Sequence, residues 1–277
     1  KEQYVCTLEF NAVERDTLGE GISEPVSFAT DSWAIIQNAV QTGNTSLYNV
    51  GDTKTVTIAA HTNDCSSVDS NDLCVSSEVP EREVTVRITN KTECTNGETS
   101  ETACGFVIEF ADVIDFHNYN LPKDSYGNNY GGWKDSVLRA YISGTLYNAL
   151  PSDLQNVIAT TNVISASNAA ESNFETQEKL YLLSVEEIFS DLANNVNASN
   201  DKSSGTSRQL DYYKNLGVRS GSYAGAMKKY NGSNSDWWLR SAYYPETEKF
   251  HKISNQGANT QQISIYVSGI SPAFRIA

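Results

Sequence analysis

Basic side chains are scarce in this chain of 277 residues: 20 Lys and Arg stand against 34 Asp and Glu, a formal net charge of −14. Binding to duplex DNA or RNA needs an excess of cations to displace counterions, so a nucleic-acid partner is excluded as a reading. Long apolar runs are missing too, and nothing in the sequence predicts a membrane-crossing helix. There are three histidines, one methionine and no cysteine beyond position 104. The G-x-S-x-G elbow, the H-E-x-x-H pair and the P-loop are all absent, which removes the common signatures of hydrolases, zinc proteases and NTPases. The chain opens Lys1-Glu2-Gln3-Tyr4 without an initiator Met and reads as a mature or trimmed fragment.

Neutral polarity is what the chain has in quantity. Asn, Ser and Thr make up more than a quarter of it, whereas charged residues are only 19%. With 15 Tyr, 9 Phe and 4 Trp to bury, it is not an acidic disordered tail. The length suits one large domain, or one domain with an appendage. Residues 1–30 show no periodicity and read as an N-terminal lead-in, with the domain proper over 31–277.

The five cysteines fall within the first 104 residues. Cys65 with Cys74, and Cys94 with Cys104, each bracket a short polar loop, and their spacing is too wide for a C-x-x-C metal knuckle. Two local disulfides are expected, and with them an oxidising, extracellular or cell-surface location. Cys6 is then the odd thiol, its partner upstream, in another subunit or nonexistent.

Asp31-Ser32 caps an expected helix with Trp33, Ile36 and Val40 on one face. Alternation predicts strands carrying Val56 and Ile58, then Val84, Val86 and Ile88, then Phe106, Ile108 and Phe110. A helical stripe is read through Trp133, Val137, Tyr141 and Ile142, ended by Pro151. Capping boxes are read at Ser152-x-x-Gln155, Ser184-x-x-Glu187 and Thr206-x-x-Gln209. Leu180 to Leu183 forms a buried-strand candidate. Trp237 to Ser241 and Gly269 to Ile276 read as core strands, with a surface meander between them anchored by Phe250, Ile253, Gly257, Ile263 and Ile265.

Several segments carry a resemblance: Asp31-Ser32-Trp33, Tyr48 to Asp52, Cys104-Gly105-Phe106, Gly131-Gly132-Trp133, Tyr147 to Pro151, Leu180 to Ser184, Arg208 to Asn215, Trp237 to Ser241, and Pro272 to Ile276. In these the chain resembles an uncharacterised domain family of surface proteins in gut Gram-positive bacteria. The tail, with W-x-R-S followed by a glycine and then G-[VI]-x-P-A, is also similar to C-type-lectin-like variable proteins of diversity-generating retroelements and to formylglycine-generating enzymes. That likeness implies an α+β, C-type-lectin-like fold of antiparallel strands with packed helices. It also implies a C-terminal surface whose positions are substituted on a fixed scaffold. The enzyme branch depends on C-terminal cysteines, which this chain lacks.

For chemistry the residues offer little. His61, His117 and His251 lie apart in sequence without a catalytic motif. Glu109, Asp112 and Asp115 gather at a strand end, where a solvated acidic edge is the stronger reading than a glycosidase pair. Asp64, Asp69 and Asp72 supply hard oxygens for calcium, but without the EF-hand pattern a solvated loop is the stronger reading, and no cofactor is expected. Of the adjacent Trp237 and Trp238, alternation would turn one outward, and Arg240 beside them suits a buried carboxylate. The ligand-binding candidates are Tyr243, Tyr244, Glu246, Glu248, Lys249, His251, Lys252, Asn255, Gln256, Asn259 and Tyr266, because exposed Tyr and amides make adaptable contact surfaces. The expectation is a non-enzymatic, adhesin-like domain that binds a host or bacterial surface protein or glycan. A pilin-like or surface-layer subunit is the alternative, and a glycan-acting enzyme the third reading.

Overall fold

The computed structural model describes residues 23–95, 98, 100–121, 128–168, 172–189, 191–192 and 208–277. The architecture is mixed α+β, with mostly antiparallel sheets and few, short helices. Cys6 and Thr206 lie outside the described residues.

Helix α1 (Trp33–Gln41) starts as expected, with the Ser32 hydroxyl accepting from Ile35 N. Just before it the Asp31 carboxylate is buried and accepts from Val26 N, Ser27 N and the Tyr48 hydroxyl. Phe28, within the span expected as lead-in, is buried and packs edge-on against Trp33 and Tyr48.

Strands β1 (Thr53–Ile58), β4 (Arg82–Asn90), β5 (Phe106–Phe110) and β15 (Ala273–Ile276) form a four-stranded sheet in the order β1-β4-β5-β15, all antiparallel. Apolar alternation places Val56, Ile58, Val86 and Ile88 in the core, while every residue of β5 is buried. The far edge of β15 is met by single bridges from Ile158 and Tyr181.

The second sheet has five strands, β6 (Asp115–Asn118), β11 (Trp237–Ala242), β12 (Lys249–Ile253), β13 (Asn259–Ile263) and β14 (Val267–Ile270), in the order β13-β12-β11-β14-β6. Its one parallel contact joins β11 to β14. Tyr119 lies stacked on Phe250 at 3.5 Å between ring centroids and edge-on to Trp238 at 5.4 Å.

Several expectations are corrected. The segment around Cys65 and Cys74 is a hairpin of β2 (His61–Val68) and β3 (Cys74–Val79), not a loop; its polar composition hid a strand pair. Both expected disulfides, Cys65–Cys74 and Cys94–Cys104, are present. Helix α2 (Val137–Tyr141) begins after Trp133, capped by Ser136, and turns Leu138 rather than Val137 inward. Trp133 is fully buried all the same, in the turn before it. A π-helical turn follows at Ile142–Leu146.

Ser152 is the first residue of α3 (Ser152–Val157) rather than its cap, and Gln155 instead donates its side chain to the Leu150 carbonyl. A further hairpin, β7 (Thr161–Ser165) with β8 (Phe174–Glu178), gave no sequence signal. Leu180 to Leu183 is buried but bridges only at Tyr181, so it is no strand. The Ser184–Glu187 capping box is formed at α4 (Val185–Ile188). Helix α5 (Asp211–Asn215) ends before Gly217, whose φ is +66°. A short hairpin, β9 (Lys228–Tyr230) with β10 (Ser233–Ser235), leads into β11. No described helix is long and apolar enough to cross a membrane.

Candidate functional site

The W-x-R-S motif, Trp238-Leu239-Arg240-Ser241, turns out to be scaffold. Trp237 and Trp238 are both fully buried, donating their indole N–H groups to the Ala226 and His117 carbonyls, so neither faces a ligand. Arg240 grips the Glu187 carboxylate through both Nη atoms, at 2.8 and 2.7 Å, as its sequence position suggested. Glu187 also accepts from Ser184 N, and Ser241 Oγ accepts from Val185 N. The motif thereby fixes the start of α4 against β11, using a planar bidentate pair that only Arg provides.

A second buried ion group was not foreseen. The Glu109 carboxylate is fully enclosed and receives Arg87 Nε at 2.7 Å, Lys228 Nζ at 2.7 Å and the Tyr213 hydroxyl at 2.9 Å. It is therefore no solvated strand end. Burial works to raise this carboxyl, but Arg87 and Lys228 outweigh it and hold it below the ordinary range. Lys228 is pushed down to about 8, because burial outweighs the attraction of Glu109. Its ammonium also donates to the Phe110 carbonyl and Ser271 Oγ, the latter inside the G-[VI]-x-P-A motif, and stands 4.5 Å from the Trp237 ring.

Between these two motifs the chain comes to the surface. The β11–β12 connection (243–248) is held from beneath by buried Asn129, which sequence reasoning missed. Its side-chain amide donates to the Tyr243, Glu246 and Lys249 carbonyls, its backbone N–H donates to Thr247, and its Oδ1 accepts from Asn168. The only signal for it was its place just before Gly131-Gly132-Trp133. At the other end of the meander, Gly257 adopts φ +91° in the β12–β13 turn, with its missing Cβ position 2.2 Å from the Tyr223 carbonyl oxygen. Phe250 is buried, while Ile263 is half-buried.

A family model described as a domain of unknown function, DUF6273, matches residues 110–277. The chain belongs to this family. No curated protein and no solved structure matches it. The match covers the whole five-stranded sheet and β15 but begins at the last residue of β5, the strand on which β15 lies.

Within the DUF6273 segment the eleven ligand-binding candidates divide by exposure. Glu246, Asn255, Gln256 and Tyr266 are exposed; Tyr243, Tyr244, Glu248, Lys249, Lys252 and Asn259 are half-buried. His251 is corrected: it is buried, with Nδ1 3.0 Å from Asn259 Oδ1 and its ring edge-on to Tyr243, and so braces the hairpin rather than facing outward. Lys252 is half committed to structure, with Nζ bonded to Asp236 and Gln262.

The remaining candidates serve as local ties. His117 stacks on Tyr141 and meets Asp64, and Tyr141 donates to Asp115, which also faces His61. Together with Asn63 donating to the Phe116 carbonyl, these contacts dock the β2–β3 hairpin onto β6 and α2. Asp69 accepts from Asn71 N and Leu73 N in the hairpin turn, which holds its carboxyl below the ordinary range. Asp72 forms part of the same turn at φ +58°, and Asp112 accepts from Lys229 N.

Proposed function

We propose that the chain is an extracytoplasmic, non-enzymatic binding domain on a C-type-lectin-like scaffold, an adhesin-like part of a bacterial surface protein. It engages a protein or glycan through the surface of residues 243–266. One observation carries the reading: the recognisable motifs on both sides of this span point inward and hold the scaffold, while the span itself sits on a backbone braced by Asn129. A surface mounted in this way tolerates side-chain replacement without loss of fold, which is what the diversified tails similar to it require. The two disulfides support an oxidising compartment. The buried carboxylates Glu109 and Glu187 are taken up by ion pairs, which supports a structural over a catalytic role for them.

The test is a variant carrying Ser at the four exposed candidates, Glu246, Asn255, Gln256 and Tyr266. Its melting curve should overlie that of the parent, since exposed substitutions shift stability by about 0.5 kcal/mol or less. Binding to a partner found on a host-protein or host-glycan array should be lost. Unfolding of this variant, or unchanged affinity, would remove the tail as the recognition surface.

A further inference from the structure

We propose that β13 is a docking edge for an extended peptide segment of a partner protein, which joins the five-stranded sheet as a further strand. This inference rests on residues 243–266 being a binding surface, and it selects protein over glycan as the ligand.

The register shows which backbone groups are free. Ser254 N donates to the Ala258 carbonyl at one end of the β12–β13 hairpin, and Ser264 N donates to the Glu248 carbonyl at the other. Hydrogen-bonded pairs in an antiparallel ladder fall at every second residue. Between these ends the bonded pairs are therefore Lys252 with Thr260 and Phe250 with Gln262. Asn259, Gln261 and Ile263 turn their N–H and C=O groups away from β12. Among the described residues one of these groups is taken, the Ile263 carbonyl, which accepts from Tyr266 N. Three N–H and two C=O groups remain along an edge whose middle residue, Gln261, is exposed.

The other edges of the two large sheets are met or guarded. β15 receives single bridges from Ile158 and Tyr181, and β6 carries the β2–β3 hairpin, with Asn63 donating to the Phe116 carbonyl. β1 presents Lys54, whose ammonium donates to the Ala29 and Asp31 carbonyls. Natural edges are blunted by Lys, by Pro or by a bulge. β13, Asn-Thr-Gln-Gln-Ile, has none of these, and its pairing with β12 runs without a register shift. That edge also decides the chemistry of its occupant. Its free groups recur at every second residue, roughly 7 Å apart, and an extended peptide carries the complementary groups at the same repeat. A helix has none to offer, because its own backbone bonds consume them. Pairing through the backbone fixes the docking mode whatever the side chains are, and the side chains beside it supply specificity. This suits a tail whose side chains are substituted on a fixed scaffold.

The experiment selects peptides from a random-peptide display library on the immobilised whole chain, then follows them by calorimetry and amide hydrogen exchange. In the free chain the Asn259, Gln261 and Ile263 amides should exchange quickly and those of Thr260 and Gln262 slowly; bound peptide should protect the first three. N-methylation of alternate peptide residues should weaken binding tenfold or more, and methylation of the residues between them should not. Gln261→Pro removes an outward N–H that β12 does not use, so it should melt close to the parent and lose the peptide tenfold or more. Should this variant unfold, the exchange and N-methylation patterns, both read on the parent chain, decide. A library that yields no binder, binding without protection of the three amides, or an N-methylation pattern without alternation overturns the proposal. So does a parent dimer that Gln261→Pro converts to monomer, since the occupant is then a second copy. An array partner lost by the four-fold Ser variant but kept by Gln261→Pro makes the edge wrong and leaves the tail reading standing. A partner that ignores both variants removes both.

Discussion

Arg87, Lys228 and Tyr213 reach Glu109 from positions 22, 119 and 104 residues away in the chain. A group drawn from such distances has no local signature, so in sequence Glu109 looked like one of several acids at a strand end. Arg240 was readable because its motif announced a buried site, although its partner Glu187 was not. The two cases differ in what surrounds the residue in sequence, not in physics. Both are enclosed ion pairs whose members were taken out of water and depend on each other. Glu109→Gln should leave Arg87 and Lys228 buried without a counter-charge and cost about 3–5 kcal/mol in urea denaturation. A loss under about 1 kcal/mol would mean that water enters the site and the group is weakly coupled.

The β12–β13 hairpin shows what patterning reveals about an element and what it does not. Phe250 and Ile253 were legible as anchors because large apolar side chains isolated in a polar stretch have to be buried somewhere. His251 was not, since a histidine among polar neighbours reads as surface until Tyr243 and Asn259 are seen to cover it. The β2–β3 pair failed for the same reason: its strands bury few apolar residues, so there was no alternation to count. Gly257 is the position where the hairpin has least freedom. Gly257→Ala adds a methyl group 2.2 Å from the Tyr223 carbonyl oxygen at a φ of +91°. It should destabilise by at least about 2 kcal/mol, combining backbone strain with overpacking. Gly232→Ala, also at positive φ but with nothing within 4 Å, should cost less, and equal melting of the two variants would refute the close packing of this turn.

For the molecule as a whole, ionisation of buried phenols sets the alkaline limit. Tyr48, Tyr141, Tyr181 and Tyr213 are all buried, and burial first, then a neighbouring carboxylate, raises each above its ordinary value near 10. In the unfolded chain they lose their protons near pH 10, whereas in the fold they keep them. Above that pH the native state holds more protons, and stability fully present below 10 falls as pH rises. Lys228 acts the other way between about 8 and 10.5, where the unfolded chain keeps a proton that the native one releases. The urea midpoint of a Cys6→Ser protein should hold or rise slightly from pH 8 to 9.5 and drop steeply beyond 10. A midpoint unchanged at pH 11 would mean that the phenols are solvated. The position of β15 has a consequence in time rather than in energy. This strand lies against β5, yet in synthesis some 166 residues separate Phe110 from Ile276, on the order of ten seconds at usual elongation rates. Throughout that interval β5 is a strand buried on both faces in the finished fold but lacking one neighbour. The first sheet therefore stays open while the intervening chain is made, and its closure waits for β15 to arrive.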